Sequence, residues 1–134
     1  MATRSRIGIE EEEGRVRSIY CHYDGYPEGV GAVLSKHYQD ADKVRQLMEL
    51  GDLSILGAEI GEKQDFNKRN SVEDWCLAYG RDRQETATDS REFDSAFHWW
   101  ADSSTSFVDY VYLYRDGKWF YWATGDMPEA THLI

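Results

Sequence analysis

The fold is decided by residues 18–34, which have the sequence SIYCHYDGYPEGVGAVL. Side chains alternate along a strand, so the first residues predict a strand with Ile19 and Cys21 on one face and Tyr20 on the other. The Asp-Gly-Tyr-Pro sequence at 24–27 then predicts a turn, because glycine supplies backbone freedom and proline fixes φ. We therefore expect a strand that ends in a sharp corner.

The chain leaves this corner as a predicted helix. Its apolar positions follow the i, i+3, i+4, i+7, i+8 spacing of one helix face, and they are Val30, Val33, Leu34, His37 and Tyr38. Four side chains that can hydrogen-bond or titrate gather between the strand and the helix: His22, Tyr23, Asp24 and Tyr26. Corners of this kind present side chains on a rigid base, so we predict a binding site here. The alternative is a corner that only packs the helix against the sheet.

A strand is also predicted before this stretch. Ile7 and Ile9 alternate with less apolar residues, and the glutamate-rich turn at 10–14 connects them to the strand that begins at Val16. This arrangement predicts a hairpin. The four consecutive glutamates repel one another and are expected in water. Neighbours on a turn also converge poorly on a metal ion, so the cluster does not predict a metal site.

A second helix is predicted after the first. Asp40 or Asp42 can cap it, and Gly51 is a suitable residue for its end. Its apolar side carries Val44, Leu47 and Met48. Asp52 resembles another N-cap, so residues 53–56 are predicted to form a single helical turn.

The middle of the chain gives weaker signals. Residues 58–70 have little periodic apolar pattern, so we expect a mobile loop there. Residues 75–79 (WCLAY) predict a central strand, which continues through Gly80 into Arg81 and Arg83.

A third helix is predicted near residue 90. Asp89 followed by Glu92 resembles a capping box. The buried face of this helix would carry Phe93, Ala96, Phe97 and Trp100. Trp99 lies off this stripe, so we expect it to be partly exposed.

The strongest local signal is a hairpin at residues 107–123. Asp116-Gly117 between two β-rich runs predicts a type I′ turn, and this turn fixes the register. One face then carries Val111, Leu113, Phe120 and Trp122, and the other carries Tyr110, Tyr112, Tyr114, Trp119 and Tyr121. An open aromatic face could stack on planar ligands. If helices cover it, the same face is core.

The order of elements is strand, strand, helix, helix, strand, helix, strand, strand. No alternating strand–helix–strand repeat is present. We therefore predict one α+β domain over residues 1–134, with a largely antiparallel β-sheet and helices packed on one face.

Composition narrows the classes of function. The chain has 134 residues and a formal net charge of −10, which repels phosphates and predicts no direct nucleic acid binding. No apolar run approaches transmembrane length, and the opening MATRSR lacks a signal-peptide core. These features predict a cytoplasmic protein without membrane contact. Cys21 and Cys76 fall in predicted strands and are expected to be buried thiols rather than a disulfide.

The residues predict no catalytic site, no metal site and no cofactor. Cys21 and His22 are neighbours in a strand, so they point to opposite faces and cannot pair as nucleophile and base. The four histidines lack the spacing of metal ligands. The glycines at 25–31 lack the Lys-Ser/Thr of a phosphate-binding loop. A hydrolase is therefore the least favoured alternative.

A second group of candidate ligand-binding residues lies outside the corner. Trp99 and Tyr112 could contact a planar ligand if the aromatic face is open, and Arg81 and Arg83 could hold its phosphate through bidentate contacts. The predicted pocket for a small anionic ligand thus combines His22, Tyr23, Asp24, Tyr26, Arg81, Arg83, Trp99 and Tyr112.

Three segments resemble a group of small bacteriophage and prophage proteins. They are the opening MATRSRIGIE, the segment SIYCHYDGYPEGVG at 18–31 and LGDLS at 50–54, so the resemblance covers roughly the first 60 residues. No activity or catalytic residue can be carried over from this group. The resemblance implies a small accessory protein expressed inside a bacterial host cell, and by analogy one that counters host defence.

Two functions from different classes remain. The first is sequestration of a small anionic ligand, such as a nucleotide-derived immune signal. The second is protein–protein inhibition, in which an acidic surface that includes residues 10–13 mimics nucleic acid and blocks a host defence enzyme. Net charge favours the second, whereas the aromatic count and the polar corner favour the first, which is our leading hypothesis. Exposed aromatic residues on the last hairpin would also allow a homodimer.

Overall fold

The computed structural model describes residues 2–68, 74–124 and 132–133. Within these ranges the strands are β1 (Ser5–Glu10), β2 (Val16–Cys21), β3 (Leu53–Ile55), β4 (Leu77–Ala78), β5 (Arg91–Phe93), β6 (Tyr110–Arg115), β7 (Lys118–Ala123) and β8 (His132–Leu133). The helices are α1 (Ala32–His37), α2 (Ala41–Leu50), α3 (Tyr79–Arg83) and α4 (Ala96–Ser103). None of these helices is long and apolar enough to cross a bilayer.

The strands form one mixed sheet in the order β4-β3-β2-β1-β6-β7-β8, and β5 pairs with β2 beside β3. The pairs β1–β6 and β2–β3 are parallel, and the other pairs are antiparallel. The predicted α+β class with a largely antiparallel sheet is therefore confirmed. The predicted hairpin of β1 with β2 is also present, with Ile7 opposite Ile19.

The central strand β1 buries both of its faces. Ile7 and Ile9 point into the core beneath α1 and α2. Gly8 points to the opposite face, where an added Cβ would lie 3.0 Å from Val16 and 3.2 Å from the Trp99 ring. Glycine is needed here because the indole packs directly on the strand.

Helices lie on both faces of the sheet, and this differs from the predicted single helical face. The core on the side of α1 and α2 contains Leu34, Tyr38, Val44, Leu47 and Met48, as the helical spacing predicts. Helix α4 packs on the other side, where Trp99 contacts Gly8 and belongs to a second apolar cluster with Val16, Val111 and Leu113.

Two predicted boundaries in the middle of the chain are wrong. Residues 53–55 form β3 rather than a helical turn, because the Asp52 carboxylate accepts a 3.0 Å hydrogen bond from the Tyr20 amide and holds the segment beside β2. The predicted strand at 75–83 contains only the two residues of β4. It then becomes the helical turn α3, so Arg81 and Arg83 lie on a helix.

The loop predicted at 58–70 has a 3₁₀ turn at Phe66–Lys68, and its last two residues lie outside the described ranges.

Helix α4 begins later than predicted, and this changes which side chains are buried. Residues 91–93 pair with β2 as a strand, and the helix begins after Ser95, whose hydroxyl accepts a 3.0 Å hydrogen bond from the His98 amide. The predicted partial exposure of Trp99 is wrong, since it is 0% exposed. Phe97, predicted to be buried, is 64% exposed.

The register predicted for the last hairpin is confirmed. Tyr114 faces Trp119 and Tyr112 faces Tyr121 across β6 and β7. The aromatic face is not open. Tyr112, Tyr114 and Trp119 are buried in the core with α1 and α2, and the Trp119 indole donates a 2.9 Å hydrogen bond to the Tyr38 carbonyl. This face therefore forms core.

Candidate functional site

The corner between β2 and α1 is held by backbone hydrogen bonds. The Gly25 amide donates to the Thr3 carbonyl at 2.8 Å, and the Val30 amide donates to the Asp24 carbonyl at 2.8 Å. Asp24 has a φ of 58°, a left-handed conformation that aspartate tolerates better than most residues. The surrounding contacts hold this conformation, so the side chains at the corner are presented on a fixed backbone.

Close packing explains the glycines of the corner. A Cβ on Gly25 would lie 2.8 Å from the Thr3 carbonyl oxygen, and a Cβ on Gly29 would collide with the carbonyl oxygen of Asp24. Beneath the corner, the Tyr112 hydroxyl donates a 2.7 Å hydrogen bond to the Gly25 carbonyl. Tyr112 therefore supports the corner from the core, instead of lining a pocket.

His22 lies in a small aromatic cluster. Its Nδ1 shares a 2.7 Å hydrogen bond with the Tyr20 hydroxyl, and its ring meets the Tyr23 ring edge-on at 4.5 Å between centroids. Burial lowers the pKa of His22 below its usual value, and the positive charge of Arg4 lowers it further. Burial also raises the pKa of Tyr20 to about 12. Both groups are consequently neutral at pH 7.

Tyr26 is the exposed aromatic residue of the corner. It is 37% exposed, and its hydroxyl donates a 3.2 Å hydrogen bond to the Asp24 carboxylate. Two recesses flank its ring. The larger, of 480 Å³, also includes Thr3, Asp109 and Tyr110 in its wall, and the smaller has a volume of 120 Å³.

Arg4 lies close to His22, outside the walls of both recesses, and the sequence analysis did not select it. It precedes Ser5, which pairs with Cys21, so it lies at the same end of the hairpin as His22. Its backbone is fixed by a 2.8 Å hydrogen bond from the Asp109 amide to its carbonyl. Among the described residues, no carboxylate forms an ion pair with its exposed guanidinium. No local pattern in the sequence selects Arg4, because the pairing of β1 with β2 brings it beside His22.

Arg81 is occupied by the protein itself. Its guanidinium donates to the Asp82 carboxylate at 2.9 Å, to the Ile60 carbonyl at 2.8 Å and to the Cys76 carbonyl at 2.7 Å. The buried Asp82 carboxylate also accepts hydrogen bonds from the backbone amides of Gln64 and Ala78. This arrangement joins the 60–64 loop to β4 and α3, and it leaves Arg81 little capacity for a ligand.

The structure therefore brings together only the corner residues of the predicted set. Arg83 is exposed, and it lies over the Phe66 ring at 5.1 Å and pairs with Glu85 at 3.2 Å. Trp99 and Tyr112 are fully buried and belong to the clusters on opposite faces of the sheet. The predicted pocket that joins Trp99, Tyr112 and the two arginines does not form, because long-range packing occupies these side chains.

A separate acidic cleft of 1020 Å³ lies beside the first hairpin. Six carboxylates line it, those of Glu10, Glu11, Glu12, Glu49, Asp89 and Glu92. Three arginines, Arg15, Arg17 and Arg45, lie among them. Some of these charges pair within the protein, for example Arg15 with Glu92 at 3.7 Å and Arg45 with Glu11 at 3.8 Å. The six carboxylates outnumber the three arginines, so the net charge of the cleft is negative.

The described residues were searched for metal-binding clusters and for activated cysteine nucleophiles. No cluster of three histidine, cysteine or acidic side chains there could hold a metal ion. Cys21 and Cys76 are buried, and burial raises the pKa of both thiols, to about 12 for Cys21. A thiol in this state is a poor nucleophile.

Comparison of the chain with protein-family models, with curated proteins and with solved structures finds no match. Inference about function therefore depends on the residues of this chain.

Proposed function

We propose that the chain is a non-enzymatic binding protein that sequesters a small anionic, nucleotide-like ligand at the corner between β2 and α1. The observation that carries this proposal is Tyr26, an exposed ring on a rigid backbone between two recesses. A binding site that is already ordered loses little conformational entropy when a ligand binds.

Each part of a nucleotide has a chemically suitable partner at this corner. The rings of Tyr26 and Tyr110 can stack on a base, and they border the same recess. The carboxylates of Asp24 and Asp109 can accept hydrogen bonds from sugar hydroxyls. The exposed guanidinium of Arg4 can bind a phosphate, a role that the sequence analysis assigned to Arg81 and Arg83.

The biological context of the proposal comes from the resemblance to phage accessory proteins. A protein of this kind in the cytoplasm of a bacterial host would counter host defence by holding a nucleotide-derived signal. This role requires affinity and slow release, and it requires no catalytic group.

A thermal-shift screen against linear and cyclic nucleotides tests the proposal. A ligand at a hundred times its Kd stabilises the folded state by about 2.7 kcal/mol. We expect at least one nucleotide to raise the Tm, and we expect Tyr26→Ala and Arg4→Ala to remove the shift. Arg83→Ala and Phe107→Ala are matched controls, because both replaced residues are exposed and lie outside the corner. No shift across the panel, or a shift that survives both corner variants, contradicts the proposal.

A second candidate function is supported by the acidic cleft. Carboxylates from the 10–13 turn, α2 and β5 converge on this cleft, so an acidic protein–protein inhibitor that mimics nucleic acid is the alternative proposal. We expect such an inhibitor to block DNA cleavage by purified restriction nucleases more strongly at low salt than at high salt. Glu12→Lys should weaken the inhibition, whereas Glu62→Lys, an equal charge change outside the cleft, should not. Salt-independent inhibition would argue against this alternative.

A further inference from the structure

The larger recess beside Tyr26 has a suitable size for the base of a nucleotide. Its volume of 480 Å³ lies within the range of about 300–1,000 Å³ that is usual for small-molecule sites. Its wall is formed by residues 2–3, by Tyr26 and by the open end of the last hairpin at 109–110 and 123–124. The rings of Tyr26 and Tyr110 can stack on any base, because every base has a π-face. A preference among bases therefore depends on the polar groups of the wall.

The charge of this wall comes from one side chain. Among the described residues that form it, Asp109 carries a carboxylate and none is a lysine or an arginine. A carboxylate repels a phosphate at short range and attracts N–H donors. The recess therefore suits the base, and it excludes the phosphate of the same ligand.

Asp109 is held in place by hydrogen bonds on both sides. Its amide donates to the Arg4 carbonyl at 2.8 Å, and the Arg4 amide donates back to Oδ2 of the Asp109 carboxylate at 3.2 Å. The Thr124 amide donates to the Asp109 carbonyl at 2.9 Å. An ionised carboxylate has about four lone-pair positions, so this group can accept further hydrogen bonds. Its position is set before a ligand binds, which lowers the entropy lost on binding.

The Tyr26 ring is positioned in a similar way. Its hydroxyl donates a 3.2 Å hydrogen bond to the carboxylate of Asp24, a residue that lines the smaller recess. The hydroxyl is therefore engaged on that side, and the ring contributes its apolar surface to the larger recess. Tyr110 follows Asp109 directly in the chain and lines the same recess. A base that stacks on these rings thus meets Asp109 with its edge.

We propose that Asp109 selects guanine among the bases, an inference that rests on the proposed function of the corner. Guanine presents two adjacent donors, N1–H and the 2-amino group, and one carboxylate can accept both. Adenine and cytosine present one amino group beside a ring nitrogen that is an acceptor. Uracil presents a single N–H between two carbonyl acceptors. Each of these three bases would bring a lone pair against the carboxylate, so each is disfavoured.

Isothermal titration calorimetry with GMP and AMP tests this selection. We expect GMP to bind about tenfold or more tightly than AMP, as one bidentate contact to a base edge provides. Asp109→Asn should weaken GMP binding by a similar factor, because the amide offers only one acceptor oxygen. AMP binding should stay the same or become tighter, since the repulsion of its N1 is removed. Asp116→Asn is the matched control, an equal charge change at the exposed turn of the same hairpin, and should alter neither Kd.

The outcomes separate this inference from the proposed function. Nucleotides that bind without a preference for GMP overturn the inference alone, and so does an equal loss of GMP and AMP binding in Asp109→Asn, which indicates a structural role. If no nucleotide binds, the proposed function fails and the inference fails with it. Free arginine presents a similar pair of donors on a cation. Arginine that binds more tightly than GMP would assign the recess to a guanidinium group and overturn the inference.

Discussion

The indole nitrogen of Trp99 donates a 2.9 Å hydrogen bond to the hydroxyl of Ser18, and both residues are buried. Ser18 lies on β2 and Trp99 on α4, 81 positions apart in sequence. This bond fixes how α4 is rotated against the sheet, and the rotation determines that Phe97 points to solvent. A buried contact between two elements thus determines the surface that α4 presents.

Replacement of Ser18 by alanine should destabilise the protein. The variant leaves the Trp99 indole N–H buried without a partner, which costs about 1–3 kcal/mol. Urea unfolding measures the loss. The double variant Ser18→Ala with Trp99→Phe removes both partners of the bond, so its loss should be smaller than the sum of the two single losses. Additive losses would show that the hydrogen bond contributes little.

The position of Trp99 shows why the phase of α4 could not be predicted. The apolar spacing of Phe93, Ala96, Phe97 and Trp100 fits a helix face, but Phe93 belongs to a strand that pairs with β2. That pairing joins residues far apart in sequence, and it delays the start of the helix. A local pattern cannot contain this information, because propensity is overridden by tertiary packing.

Arg81 should contribute to stability, in contrast to its predicted role in ligand binding. Arg81→Ala removes the charge partner of the buried Asp82 carboxylate and the donors to the Ile60 and Cys76 carbonyls. Loss of one partner of a buried pair costs about 3–5 kcal/mol. Arg83→Ala is the matched control, because the ion pair of Arg83 with Glu85 is exposed and contributes about 0–1 kcal/mol. Equal effects on the free energy of unfolding would refute the distinction.

The last hairpin was predictable to the residue because its two-residue turn sets the register, whereas for the first hairpin only the pairing of the two strands was predicted. The Asp116-Gly117 turn predicts that Tyr112 lies opposite Tyr121, and the structure has this pairing. The parallel pairing of β1 with β6 was not predictable, since no turn connects these strands.

Contacts between residues that are distant in sequence also limited the prediction of the site. The sequence grouped His22, Tyr23, Asp24 and Tyr26 because they are neighbours, but it could not bring Arg4 to them.

The two thiols should be unreactive in the folded protein. Cys21 and Cys76 are both 0% exposed, and burial raises the pKa of each. We expect Ellman's reagent to label neither cysteine at pH 8 without denaturant and to label both in guanidinium chloride. The labelling rate in intermediate denaturant should follow unfolding measured by tryptophan fluorescence. Rapid labelling of the native protein would contradict the burial of these residues.

His22 should make stability depend on pH in the range just below its usual pKa. Burial, and then the charge of Arg4, lowers the pKa of His22 in the folded protein below the value of 6.5 expected for the unfolded chain. Between these two values the unfolded chain binds more protons, so folding stability falls as the pH falls through this window. As the pH falls from 7 to the pKa of His22 in the folded protein, the His22→Gln variant should therefore lose less stability than the unmodified protein. Urea unfolding at a series of pH values measures the difference, and parallel curves would contradict the prediction.

The same histidine also reports on the charge of the proposed site. Arg4→Gln removes a positive charge near the ring, so the pKa of His22 should rise towards 6.5 in an NMR titration. Arg83→Gln, the same change outside the corner, should leave it unchanged. A phosphate bound at Arg4 offsets the same positive charge, so a nucleotide that binds the corner should also raise the pKa of His22. A nucleotide that raises the Tm but leaves this pKa unchanged would place the phosphate away from Arg4, because the imidazole titrates in response to the charge beside it.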